Sequence, residues 1–147
     1  MTEITLTTAL IRIGVSFLLG AAVGIERQVH KHPAGFRTFT LICLGSTLAM
    51  LLSIYVCQTN TNLLNGDPGR IAAQVLTGIG FIGAGLIIKG QDGVSGLTTA
   101  ACIFVCAVIG LAAGAGMLLL ATIVTALVVI VLISSFLVRH PNSKHGE

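Results

Sequence analysis

The sequence predicts an all-α integral membrane protein: one bundle of five transmembrane helices over residues 1–147. Three observations carry that reading. Hydrophobic residues make up 54% of the chain and charged residues only 9%, where a soluble domain is about 25% charged. The mean hydropathy is +1.00. The apolar residues also gather into five runs of about the length a helix needs to cross a bilayer. A soluble fold of this size has too little interior for that much apolar surface. The net charge of +3 is too small to argue for nucleic acid as a partner; the expected surroundings are the lipid bilayer.

The runs cover residues 4–24, 39–57, 71–88, 97–113 and 117–138. The first is broken only by Arg12. It lacks the basic leader of a signal peptide and so reads as a true span. The fourth is the shortest, and extension to Gly114 helps it reach across. Lys and Arg are divided unevenly between the two ends. Arg27, Lys31, Arg37, Lys89, Arg139 and Lys144 fall on one face and Arg70 on the other. The positive-inside rule then places the first loop, third loop and C-terminus in the cytoplasm and the N-terminus outside. The tail from His140, with Pro141 and Gly146, reads as a frayed end.

Lipid gives helices no hydrophobic reason to associate, so close backbone approach at small residues matters. The first helix offers Ser16, Gly20 and Gly24, and the fourth Cys102, Cys106, Gly110 and Gly114. The third offers Ala73, Thr77, Gly80 and Ala84, with Gly78, Gly83 and Gly85 beside them. These three helices are expected to form the tight interior, with the glycine-free fifth facing lipid. Gly78, Gly80 and Gly83 match a dinucleotide fingerprint in letters only, because no preceding strand, βαβ unit or later acidic residue is visible. No cofactor is expected. Cys43, Cys57, Cys102 and Cys106 lack zinc-site spacing and read as small packing residues.

Polar residues inside apolar runs are costly and therefore informative. Arg12 either snorkels to the outer interface or finds a buried partner. Glu26, Arg27 and Arg37 flank the first loop, placed to pair across its mouth or to form a solvated cluster. Asp67 and Pro68 suit an N-cap and first helical position. Arg70 lies near the positive end of the following helix, which favours a tertiary partner or a ligand. Gln74, one turn on, extends a polar track on the same face. Asp92 lies in a glycine-rich third loop, 89–96, that reads as a tight turn. Thr98 and Thr99 open the fourth helix, with Thr99 placed to bond back to the backbone. His30 and His32 beside Glu26 are either a metal set or a solvated basic loop. With only Glu3, Glu26, Asp67, Asp92 and Glu147 as acids, one protomer offers no carboxylate cage for a hard cation, and no metal ligands are assigned.

Several of these segments resemble one family. Gly24-Ile25-Glu26-Arg27 and Ala34-Gly35-Phe36-Arg37-Thr38 are similar to the first motifs of the MgtC/SapB membrane family. Arg70-Ile71-Ala72-Ala73-Gln74 with Gly78–Gly85 is similar to its longest signature, and Gly96-Leu97-Thr98-Thr99-Ala100-Ala101 to its fourth-helix motif. The resemblance runs in order from Leu10 to Gly116. It implies a multi-pass protein of the bacterial inner membrane, linked to adaptation to low magnesium, to membrane energetics and to virulence or survival inside macrophages. It also implies inhibition of the F-type ATP synthase as a mode of action. Two departures stand out. Many relatives carry a soluble cytoplasmic C-terminal domain, which this sequence is expected to lack. The family usually has Asn where Thr98 stands here.

No Ser, His and acid are spaced for nucleophilic catalysis, so the first expectation is a non-enzymatic regulator. It would bind a membrane partner such as the ATP synthase, or its own copy as a homo-oligomer, most simply a dimer. The competing expectation is a transporter or channel for magnesium, another ion or a small solute, with Arg12, Glu26, Arg37, Arg70 and Gln74 meeting in one polar path.

Overall fold

The computed structural model describes residues 4–59, 67–91 and 93–138, with side chains to Ser134. Among the described residues are five helices: α1 (Leu6–Val29), α2 (Phe36–Thr59), α3 (Gly69–Leu86), α4 (Leu97–Ala115) and α5 (Leu118–Val138). Two short strands, β1 (Ile88–Gly90) and β2 (Gly93–Ser95), join α3 to α4. Helices α1 to α4 are each long and apolar enough to cross a membrane. The 21 residues of α5 carry no charge. At about 1.5 Å per residue, helices of this length match a hydrocarbon layer of about 30 Å.

Helix ends account for the differences from the expected boundaries. Helix α1 runs past Gly24 to Val29, so Glu26 and Arg27 lie within it rather than beyond it. It stops because Lys31 turns left-handed (φ 56). The amides of Lys31 and His32 then return to the carbonyls of Gln28 and Arg27 at 3.0 Å each, a Schellman closure. Helix α4 ends the same way. Gly116 (φ 92) is left-handed, and the amides of Gly116 and Met117 bond to Ala113 and Ala112. The third loop doubles back tightly, as expected, and its arms pair as a short hairpin, with Ile88 opposite Ser95 and Lys89 opposite Val94.

At α3 the expected cap is displaced by one residue. Pro68 holds the N-cap position and the helix opens at Gly69. Asp67 contributes through its side chain, whose Oδ1 accepts the Gly69 amide at 2.7 Å.

The interior is built by α1, α2 and α4, which pack along their length with α4 in the middle. Half of α4 is buried, against 11% of α3. The small residues decide this. A Cβ on Gly20 would lie 2.8 Å from Cys43 Cβ, and one on Gly24 2.7 Å from the Phe36 backbone. A Cβ on Gly110 would collide with the Cys43 carbonyl, and one on Gly114 would lie 2.7 Å from that of Thr47. Cys102 and Cys106 are buried on the same face of α4. Such backbone-to-backbone approach is how helices adhere in lipid.

The expectation that α3 shares this interior is corrected. Only Ile79 and Gly83 of α3 are buried. A Cβ on Gly83 would lie 3.7 Å from that of Ala100 on α4, while one on Gly78, Gly80 or Gly85 would have nothing within 4 Å. Those three glycines do not serve packing among the described residues. Helix α5 is mostly exposed, tucking in Ala121, Thr125 and Leu132.

Candidate functional site

The polar residues form a ladder through the three-helix interior rather than an open path. At its middle, Thr47 Oγ1 and Ser16 Oγ share a hydrogen bond of 2.6 Å. The Thr47 hydroxyl also faces the carbonyls of Cys43 at 2.9 Å and Gly110 at 2.8 Å. The Cys43 thiol donates to the Cys106 carbonyl at 3.1 Å. Thr47 and the partner role of Cys43 were not singled out from the sequence, and Ser16 was read only as a small packing residue. The signal was present: Thr40, Thr47 and Ser53 recur at near-heptad spacing in an apolar run, which places hydroxyls on one buried face.

An arginine of α1 sits at each end of α4. At the end away from the hairpin, Arg12 donates from Nη1 to the Gly114 carbonyl at 2.7 Å. Its guanidinium lies so close to Gly116 that a Cβ there would meet Nη2 at 2.8 Å. Arg12 therefore has a protein partner: it answers the free carbonyls and negative pole of the α4 C-terminus.

At the hairpin end Arg27 is 4% exposed, and its Nη2 reaches the Thr99 hydroxyl at 3.4 Å. Thr99 thus accepts from Arg27 across the interface instead of bonding back along its own helix. Glu26 pairs with His30 at 3.0 Å, and its side chain is 8% exposed. His30 Nδ1 also lies 2.9 Å from the Glu26 carbonyl. The expected pairing of Glu26, Arg27 and Arg37 is not what forms. Glu26 and Arg27 stand about 100° apart around α1 and turn to different partners, while Arg37 is exposed. Glu26 Oε2 and Arg27 Nε at this end, and Thr40 Oγ1 further along α2, are buried without a partner among the described residues. The described residues hold no group of three His, Cys, Asp or Glu able to grip a metal.

Arg70 and Gln74 are elsewhere. They line an open groove of about 520 Å³ between α2 and α3 with Ser53, Cys57, Asp67 and Ile71. Both are exposed. Ser53 closes the floor by donating to the Pro68 carbonyl at 2.6 Å. Thr98 faces a second, apolar groove of about 380 Å³ between α4 and α5, beside Cys102, Val105 and Val128. The single cavity expected for Arg12, Glu26, Arg37, Arg70 and Gln74 is therefore replaced by separate places. Asp92 lies outside the described residues.

Comparisons with known proteins place the chain in a family. A family model described as the MgtC family matches residues 13–139. The chain is 46% identical over 110 residues to the putative magnesium transporter YhiD of Escherichia coli K12, covering 74% of this chain and 51% of that protein. It is 40% identical over 118 residues to protein MgtC of Brucella abortus, covering 79% and 46%. It is 39% identical over 110 residues to protein SapB of Bacillus subtilis, covering 73% and 47%. The chain spans about half the length of these relatives. No solved structure matches it. With its apolar helices and a family match over most of its length, this membrane protein belongs to the MgtC family.

Proposed function

We propose that this chain is a non-enzymatic protein of the bacterial inner membrane, with its N-terminus outside, that serves adaptation to low magnesium by docking laterally against another membrane helix. The supporting observation is the state of α3. It is held along one edge by Ile79 and Gly83, and its stripe of Ala73, Thr77, Gly80 and Ala84 is exposed. Phe81 on the same outer side is 83% exposed. Thr77 satisfies its hydroxyl on the Ala73 carbonyl, but Gln74 has no hydrogen bond among the described residues. It lies beside Arg70 in the groove between α2 and α3, and an amide in a membrane protein left without a partner is costly. A glutamine amide carries both donor and acceptor, so it is self-complementary across a two-fold axis. The occupant this favours is α3 of a second copy, giving a homodimer on which a partner such as the ATP synthase would act.

Light scattering on the purified chain in an uncharged detergent tests this. Wild type is expected to run as a dimer and Gly80→Leu as a monomer with an unchanged melting temperature, because Leu there enters open space. A dimer that survives Gly80→Leu removes α3 as the docking face.

The name of the YhiD relative and the groove at Arg70 and Gln74 favour a second reading, transport of an ion or small solute. Arg70→Ala would then abolish uptake into liposomes while leaving the fold intact; unchanged uptake discards it.

A further inference from the structure

The two arginines of α1 treat the two ends of α4 in opposite ways. Arg12 meets the negative C-terminal pole and is satisfied there by a carbonyl. Arg27 is pressed against the N-terminal first turn, whose free amides make that end positive. Like sign faces like sign, inside the protein. Burial of a guanidinium is expensive unless an anion answers it, and Arg27 has no ion pair among the described residues.

The donors at this end converge. Arg27 is 4% exposed and its Nε is buried with no acceptor. Its only protein acceptor among the described residues is the Thr99 hydroxyl, at a long 3.4 Å. Helix α4 begins after Gly96, a residue with no side chain to cap it, and no side-chain cap bond is made. The first intrahelical amide to find a carbonyl is that of Ala100, bonded to Gly96 at 2.9 Å. The amides of Leu97, Thr98 and Thr99 precede it and point out of the helix end.

We propose that Arg27, Thr99 and the uncapped first turn of α4 form a binding site for a phosphate oxyanion. A guanidinium and a helix N-terminus are the two protein groups best suited to phosphate, one by its planar fork of donors and the other by its aligned amides. Glu26 sets the charge of that ligand. It neighbours Arg27 in sequence, and its buried Oε2 has no partner among the described residues while Oε1 lies 3.0 Å from His30. A singly charged phosphodiester or dihydrogen phosphate is accepted more readily than a dianion. The ligand is either a lipid headgroup entering from the bilayer surface or free phosphate. The site is at the opposite end of the bundle from the Arg70 groove and does not involve the docking stripe of α3.

The test uses the full chain in an uncharged detergent and follows its melting temperature. Two probes are titrated: inorganic phosphate, and mixed micelles containing phosphatidylglycerol, with sodium chloride at matched ionic strength and phosphatidylcholine as controls. A saturable upward shift with one probe is expected. A response to phosphate identifies a free oxyanion, and a response to phosphatidylglycerol alone identifies a headgroup. Arg27→Lys keeps the charge but loses the fork, and should weaken the apparent affinity about tenfold. Thr99→Val tests the same site without touching the buried charge and should weaken it several-fold. A wild-type chain indifferent to both probes overturns the proposal and leaves Glu26 as the longer-range counter-charge. Shifts unchanged from wild type in both Arg27→Lys and Thr99→Val, or reproduced by chloride, overturn it as well.

Discussion

The glycines of α1 and α4 and the glycines of α3 look alike in sequence and have opposite fates. Gly20, Gly24, Gly110 and Gly114 each lack room for a methyl group, because a neighbouring backbone or Cβ stands where it would go. Gly78, Gly80 and Gly85 face open space. A small-residue stripe marks a face meant for close approach. It does not say whether the approaching helix belongs to the same chain. Polar satisfaction separates the two cases. Along α1, α2 and α4 the hydroxyls of Ser16 and Thr47 are bonded across helices, whereas Gln74 on α3 is left exposed. The middle of the three-helix interior is answered by its own helices, and the outer face of α3 has no such partner among the described residues.

Gly110→Ala should have the largest effect. The new methyl would run into the Cys43 carbonyl and lie 2.9 Å from Ser46 Cβ. Backbone cannot step aside as a side chain can, so α2 and α4 must separate. Overpacking of this kind costs about 1–3 kcal/mol or more. A large fall in melting temperature is expected, measured by thermal unfolding in detergent. A stability equal to wild type would show that α2 and α4 are not packed this closely.

Arg12→Gln comes next. It removes a charge-assisted bond to the Gly114 carbonyl and the cation at the α4 C-terminus. Bonds to charged groups contribute about 1.5–3 kcal/mol. Lys at the same position should recover part of the loss, because it keeps the dipole interaction. If Arg12→Gln melts with wild type, Arg12 is held by the membrane interface rather than by α4.

Thr47→Val is smaller. It preserves shape but deletes the hydroxyl that joins Ser16 to the Gly110 carbonyl. A buried Ser16 hydroxyl loses its cross-helix partner, at a cost of about 1–2 kcal/mol. The double variant Ser16→Ala with Thr47→Val should be less than additive; full additivity would show that the two hydroxyls act separately.

Much of the fold was legible because length and hydropathy suffice to find helices in lipid. The five runs lie inside the five helices but for a residue or two at their ends. The ends were misjudged where a charge was taken as a boundary, as at Glu26 and Arg27, although a charge near the interface can sit comfortably within a helix. The polar residues were legible as a set but not as pairs. That Arg27 meets Thr99 and Arg12 meets Gly114 depends on α1 packing beside α4, a neighbour relation that spacing along one helix does not contain. The hairpin was missed because its strands are three residues each, too short for alternation to register. The place of α3 was missed for a deeper reason: a helix built for an external partner and a helix built for the interior carry the same pattern.

The smallest expected effect is the one that sharpens the comparison most. Gly80→Ala adds a methyl group to a helix interior where nothing lies within 4 Å. In a lone chain that replacement relieves the conformational freedom of glycine and should stabilise by about 0.5–1 kcal/mol. If α3 docks against a second helix at this stripe, the same methyl group stands in the interface and association should weaken. Melting temperature under monomeric conditions and dimer dissociation by dilution are therefore expected to move in opposite directions. Gly110→Ala, by contrast, should lower the first whatever the state of the second. A Gly80→Ala chain that loses stability as a monomer would place α3 in the interior after all, because only an internal neighbour makes the methyl group unwelcome there.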